Sequence, residues 1–236
     1  MSLFPVAILA GGLATRLRPL TETIAKSLVE VNGKPFIAHQ LRLLKGQGVE
    51  QVVLCTSFLG EQIKDFVGDG AQFGLQVQYS DDGAVRLGTG GAIRKALPLL
   101  GRDFFTLYGD SYLTCDFAAV QRAFETGGRR ALMTVFWNRG NYDQSNVEFR
   151  NGHIISYNKA MRTASMQHID YGLGVFNSDW FQRYPLGASL DLAWVYQDAL
   201  AVGQLIAFEV SERFYEIGSF SGIRELSEHL SARAKH

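Results

Sequence analysis

Short apolar runs alternate along the chain with longer segments of helical period. Val6–Ala10, Gln51–Thr56, Leu75–Tyr79 and Phe104–Tyr108 are rich in β-branched or aromatic residues and have the length of strands. Helical patterns fall between them near 35–47, 61–67, 90–100 and 117–126. Such alternation predicts parallel strands joined by crossover helices. Past residue 130 the texture changes: Ala131–Trp137, Asn146–Phe149 and His153–Tyr157 follow one another closely, with Asn151-Gly152 as a hairpin turn. Arg183–Gly203 reads as a polar-capped helical stretch and Leu205–Val210 as a strand. Ser221–Ala234 reads as a closing helix with Ser221 as its N-cap. The expected fold is one α/β domain over residues 1–236, Rossmann-like and three-layered α/β/α. Its sheet is mixed and mainly parallel with an antiparallel insertion, and its site lies at the carboxyl ends of the strands.

Composition narrows the chemistry. With 47% apolar residues over 236 positions, the chain can bury a sizeable core. Lys+Arg and Asp+Glu are both 23, so no overall cationic field favours nucleic acid or an anionic membrane, and an anionic ligand must be held by a local cluster. Cys55 and Cys115 stand outside any metal-ligand spacing and read as buried free thiols. No segment reaches the ~18 apolar residues of a membrane span, and the expected location is cytoplasmic.

The chemistry begins after the first strand, in Leu9-Ala10-Gly11-Gly12-Leu13-Ala14-Thr15-Arg16-Leu17-Arg18-Pro19-Leu20-Thr21, with Lys26 following in Ala25-Lys26-Ser27-Leu28. Two adjacent glycines leave no Cβ between backbone amides and an approaching phosphate or base. A glycine pair alone can be a simple turn. Arg16, Arg18 and Lys26 close behind it favour an anion cradle. The spacing is neither Gly-x-Gly-x-x-Gly nor a Walker loop, which disfavours dehydrogenases and P-loop enzymes.

Taken together with Val31-Asn32-Gly33-Lys34-Pro35, this segment resembles the signature of the sugar-1-phosphate nucleotidylyltransferases. The chain is most similar in general look to the short heptose-1-phosphate guanylyltransferase and N-acetylmuramate-1-phosphate uridylyltransferase groups. The resemblance implies that Leu9, Ala10, Gly11 and Gly12 lie against the nucleotide. Arg16 then binds the departing pyrophosphate, and Lys26 contacts phosphate oxygens. Family members usually have Pro beside that lysine, where this chain has Ala25 and Ser27. Lys-Ser-Leu is also similar to the phosphocholine cytidylyltransferases, a sister group.

Leu87-Gly88-Thr89-Gly90-Gly91-Ala92 opens a helical pattern in which Thr89 is placed to cap the helix. Bare backbone at Gly88 and Gly90 can lie flat against a base, and the family carries a similar loop there. One residue more than expected separates Ser80 from Leu87, which leaves base contacts by Asp81 or Asp82 open. Asp110 stands at the tip of an apolar strand and is the first Mg²⁺ ligand, since this ion takes one or two carboxylates plus phosphate and water. By resemblance, Glu216 in Phe214-Tyr215-Glu216-Ile217-Gly218-Ser219 is the second, although relatives have Asp there. Lys159 matches a lysine that touches the sugar-linked phosphate, and Asp170 and Gly172 match a segment facing the sugar. The similarity runs from Leu3 to about Glu225 without a β-helical extension, so acetyl transfer by a second domain is not expected.

The implied activity joins a nucleoside triphosphate to a sugar 1-phosphate with Mg²⁺, releasing pyrophosphate. Two rivals stay open. One is a cytidylyltransferase for an amino-alcohol phosphate, using Trp137, Tyr142 and Asp143 around a cationic head group. The other is an inactive relative that binds NDP-sugar and regulates a partner.

Overall fold

A computed structural model describes residues 2–12 and 15–233, with the side chain of Thr15 set aside. Leu13 and Ala14 of the glycine loop, and Ala234 of the expected closing helix, lie outside these residues. The elements run β1 (Val6–Leu9), β2 (Glu30–Val31), β3 (Lys34–Pro35), α1 (Phe36–Gln47), β4 (Gln51–Thr56), α2 (Gly60–Val67), β5 (Gln76–Asp81), α3 (Gly88–Leu100) and β6 (Asp103–Tyr108). Next come β7 (Ser111–Leu113), α4 (Phe117–Gly127), β8 (Ala131–Trp137), β9 (Val147–Arg150), β10 (His153–Tyr157) and β11 (His168–Asn177). The chain continues through α5 (Ser178–Gln182), α6 (Leu192–Ala201), β12 (Leu205–Val210), β13 (Phe214–Glu216) and α7 (Phe220–Arg233).

β5, β4, β1 and β6 lie side by side and parallel. β11 runs antiparallel to β6 and also to β8, and β12 is parallel to β8. β9 and β10 form the expected hairpin, with both Asn151 (φ 51) and Gly152 (φ 81) left-handed as its tight turn requires. Residues alternate faces along a strand. Val6 and Ile8 therefore enter one core with Ile37, Leu41, Ile63 and Val120, while Ala7 enters a second with Ile93, Ala96, Trp180 and Val195. The expected Rossmann-like α/β/α architecture with a mixed, mainly parallel sheet is the observed one.

Three expectations are corrected. Arg183–Gly203 is not continuously helical: residues 183–191 form a connection containing Pro185 and Gly187, and helix α6 begins at Leu192 behind an Asp191 cap. Proline removes a backbone donor and disfavours helix in the residue before it, which explains the break. The last helix starts at Phe220, one residue early, and Ser219 rather than Ser221 accepts a backbone N–H (Gly222, 3.0 Å). β11, inside the sheet, had no strand assigned to it. Its Asp170-Tyr171-Gly172-Leu173-Gly174 core dilutes the apolar signal, and the register against β8 shifts between Asp170 and Gly174. Gly172 (φ 102) sits at this irregularity, where a side chain would be strained.

Among the described residues no helix is long and apolar enough to cross a membrane. Cys55 and Cys115 are free and buried as expected, and burial pushes both thiols up to about 12.

Candidate active site

The glycine loop is fixed by β4 on one side and β6 on the other. Ala10 N donates to the Cys55 carbonyl (2.9 Å), and the Ser57 hydroxyl donates to the Gly11 carbonyl (2.9 Å). A Cβ on Gly11 would meet Ser57 Oγ at 2.7 Å and would have to displace that hydroxyl, whereas Gly12 faces open space. Gly109 N donates to the Leu9 carbonyl (3.0 Å), and a Cβ on Gly109 would sit 2.6 Å from that oxygen. Glycine at 109 thus lets the end of β6 press against the loop and delivers Asp110 to it. A cleft of about 760 Å³ opens here, lined by Leu9, Ala10, Gly11 and Gly12 on one wall and by Gly88, Thr89 and Ala92 on the other.

Lys26 reaches this cleft from a turn pinned by α2: Gln62 accepts from Ala25 N and donates to the Thr23 carbonyl, both at 2.9 Å. Ala25 and Ser27 are buried at 4% and 1% exposure, so the residues flanking Lys26 are packing positions. Its ammonium pairs with Asp110 Oδ2 at 2.5 Å. Asp110 is in turn held beside Glu216, because β7 pairs antiparallel with β13 in the register Ser111↔Glu216 and Ile217 N donates to the Asp110 carbonyl (3.0 Å). Glu216 accepts from Gly218 N and, at 2.6 Å, from the Ser219 hydroxyl, next to the N-terminus of α7. A Cβ placed on Gly218 would meet Glu216 Oε2 (2.6 Å), Arg16 Nη2 (2.9 Å) and Lys26 Nζ (3.2 Å). Arg16 and Lys26, from the start of the chain, therefore converge on one point with Glu216, from near its end.

Among the described residues there is no cluster of three or more His, Cys, Asp or Glu that could hold a metal by itself. Asp110 and Glu216 both line the larger cleft, and one or two carboxylates are what a hydrated Mg²⁺ takes when its remaining ligands are phosphate oxygens and water. Asp110 and Glu216 fit that ion.

A second, larger cleft of about 1540 Å³ continues from the first and shares Tyr108 and Asp110 with it. Arg16, Lys159, Asp170, Gly172 and Glu216 all line it. Lys159 Nζ donates to the Tyr108 hydroxyl (3.0 Å), lies over the same ring (4.9 Å to the centroid) and is 3.7 Å from Asp170 Oδ2. Burial opposes the Lys159 charge, but Tyr108 and Asp170 facing it prevail and hold the ammonium above the usual lysine range. Burial, reinforced by Asp170, pushes the Tyr108 phenol up to about 12. The Asp170 side chain is only 3% exposed and also accepts from the Tyr157 hydroxyl (3.1 Å) and Gly172 N (3.1 Å). Its carboxylate is occupied by the protein, which makes it the anchor of Lys159.

The family profile described as nucleotidyl transferase matches residues 6–146. The chain belongs to the nucleotidyl transferase family. The chain is 44% identical over 120 residues to N-acetylmuramate alpha-1-phosphate uridylyltransferase of Neisseria meningitidis serogroup B, covering 50% of this chain and 51% of that protein. It is 35% identical over 114 residues to D-glycero-alpha-D-manno-heptose 1-phosphate guanylyltransferase of Campylobacter jejuni, covering 48% and 51%. The matches thus span about half the length of these curated relatives. In fold it is similar to HddC of Yersinia pseudotuberculosis solved with GMP-PN (TM-score 0.79, 22% identity, 97% of this chain and 100% of that one). It is likewise similar to the inositol-1-phosphate CTP transferase of T. maritima (TM-score 0.78, 21% identity, 98% and 96%).

Other expectations about this family member's site are revised by the geometry. Thr89 does not cap its own helix: α3 has no side-chain cap, and Thr89 Oγ1 instead accepts from Leu192 N (2.8 Å), capping α6. Gly90 and Gly91 N–H groups donate to the Leu190 carbonyl (2.8 and 3.1 Å), and a Cβ on Gly88, Gly90 or Gly91 would collide with residues 188–191. The bare backbone of this cluster therefore admits the 188–191 segment, while Gly88 and Thr89 still face the cleft. Asp81 is held by Thr56 (3.0 Å) and Gly83 N (2.7 Å); Asp82 accepts from Leu87 N (3.1 Å) and lines the smaller cleft. These bonds close the longer 82–87 loop. Trp137 lies outside both clefts, stacked under Arg139 at 4.1 Å, and the Tyr142 face is covered by Arg213 at 4.3 Å. Ser57, Gly109, Gly218 and Tyr108 were missed as site residues; Gly109 directly precedes Asp110 and Gly218 stands two positions after Glu216, which is the signal that marks them.

Proposed function

We propose that this nucleotidyl transferase moves a nucleoside monophosphate from a nucleoside triphosphate to a sugar 1-phosphate, releasing pyrophosphate and an NDP-sugar. The observation that carries the reading is the pair of clefts that meet at Asp110 and Tyr108, one walled by the glycine loop and the other floored by Lys159. The nucleotide takes the smaller cleft, with Gly11, Gly12, Gly88 and Thr89 against base and ribose. The acceptor takes the larger one, its phosphate on Lys159.

A sugar 1-phosphate carries about −1.5 to −2 charge near pH 7, so its oxygen attacks the α-phosphorus without a general base. The task of the protein is to bring two polyanions into line and to neutralise the charge that develops on the leaving pyrophosphate. Lys159, locked by Tyr108 and Asp170, orients the nucleophile. Lys26 meets phosphate oxygens at the junction, and Arg16, converging with it, receives the pyrophosphate. Asp110 and Glu216 would hold Mg²⁺, which when bound would add positive charge beside the phosphate oxygens. The amino-alcohol reading is less supported: Asp143 lines the larger cleft, but Trp137 lies outside both clefts and Arg213 covers one face of Tyr142. The inactive-relative reading has no support in a site where Arg16, Lys26 and Asp110 are all present and assembled.

A pyrophosphate-release screen of four nucleoside triphosphates against a panel of sugar 1-phosphates tests this reading. Release that requires both substrates and Mg²⁺, matched by NDP-sugar formed, is expected. Release only with an amino-alcohol phosphate, or none with any pair, would overturn it.

A further inference from the structure

Gln40 is a polar residue on the core-facing side of α1, among Phe36, Ile37, Leu41 and Leu44, and it is 0% exposed. Its Nε2 donates to the Tyr108 carbonyl (3.1 Å) and to the Ser111 carbonyl (2.8 Å). These two carbonyls bracket Gly109-Asp110, the turn that carries the metal-binding carboxylate. The amide orientation follows from chemistry: an NH₂ group offers two donors, whereas a flipped amide would set its oxygen against two carbonyl oxygens. Gln40 Oε1 is buried and has no partner among the described residues. A methionine would fill the same space without stranding an acceptor, so packing alone does not account for glutamine at this position.

We propose that Gln40 is a positioning residue that sets the direction of the Asp110 carboxylate. Gly109 N on the Leu9 carbonyl and Ile217 N on the Asp110 carbonyl fix the turn towards the glycine loop and β13, each at 3.0 Å. Gln40 fixes it from the helix side, so that Asp110 reaches Lys26 and stays beside Glu216. Gln47, seven residues on and on the same face of α1, donates to the Cys115 carbonyl (2.9 Å), beyond β7 and away from Asp110. It provides an internal control. The proposal rests on the reading of Asp110 as a metal ligand.

The test compares Gln40→Met and Gln40→Leu with Gln47→Met and Asp110→Asn. Thermal unfolding, Mn²⁺ binding in the presence of nucleoside triphosphate followed by electron paramagnetic resonance, and the Mg²⁺ dependence of turnover are measured on each. The Gln40 variants should remain folded and lose about 10- to 100-fold in Mn²⁺ affinity and Mg²⁺ half-saturation, the usual effect of removing a group that orients a metal ligand. Gln47→Met should shift the unfolding temperature and leave Mn²⁺ affinity unchanged. Parental Mn²⁺ affinity in the Gln40 variants, with binding lost in Asp110→Asn, would overturn the positioning role and leave the metal assignment standing. Parental binding in Asp110→Asn would remove the metal assignment and the Gln40 proposal with it. If neither Gln40 variant folds, the residue holds the fold rather than the carboxylate, and the proposal is overturned.

Discussion

Gly218 marks the point where Arg16, Lys26 and Glu216 meet, and a single methyl group added there tests whether their placement matters. The three atoms such a methyl would crowd, at 2.6 to 3.2 Å, are all ends of flexible side chains. They can swing aside, so the fold should tolerate Gly218→Ala with little change in unfolding temperature. The reacting centre should not, because displacing positioned groups by about 1 Å costs on the order of 100-fold in rate. Steady-state kcat measured beside thermal unfolding separates the two effects; a parental kcat would show that these ends need not converge. At this scale the sequence was informative about charge and less so about support. Arg16, Lys26, Asp110 and Glu216 could be read from ordered motifs. Ser57 and Gln40 could not, because each acts on a backbone carbonyl far away in the chain (Gly11 for Ser57, Tyr108 and Ser111 for Gln40), and no local pattern encodes such a contact.

Strand–helix alternation made β1, β4, β6, α1 and α4 legible within a residue or two, since the three strands are short apolar runs buried on both faces and the two helices each bury one face. The second half resisted. β11 pairs on both sides and carries two glycines and an aspartate, so it shows neither alternation nor a continuous apolar run. α6 depends on a cap from Thr89, about a hundred residues earlier, which also ties the 188–191 segment to the glycines that open α3. Thr89→Val keeps the side-chain shape and removes the acceptor, leaving Leu192 N unsatisfied. Losing a cap of this kind costs about 1 kcal/mol, or roughly 2–4 °C in unfolding temperature for a chain of this size. Calorimetry of the variant checks this, and an unchanged transition would mean that Asp191 alone suffices to cap α6.

For the molecule as a whole, balanced charge concentrates function in local groups. On the proposed reading the nucleotide takes the smaller cleft, built from β1, α3 and the end of β6, and the acceptor takes the larger, built from the segment after β10 and from β11 and β13; among the described residues the two share Tyr108 and Asp110. That division is the central claim, and Lys159 tests it most directly because it lines the acceptor cleft alone. A charge-assisted contact from Lys159 to the acceptor phosphate is worth roughly 1.5–3 kcal/mol, or about 10- to 150-fold in kcat/KM. Steady-state kinetics of Lys159→Ala, with each substrate varied in turn, should show that loss as a raised KM for the sugar 1-phosphate and a nearly unchanged KM for the nucleoside triphosphate. An unchanged acceptor KM, or an equal rise for both substrates, would contradict the two-cleft account.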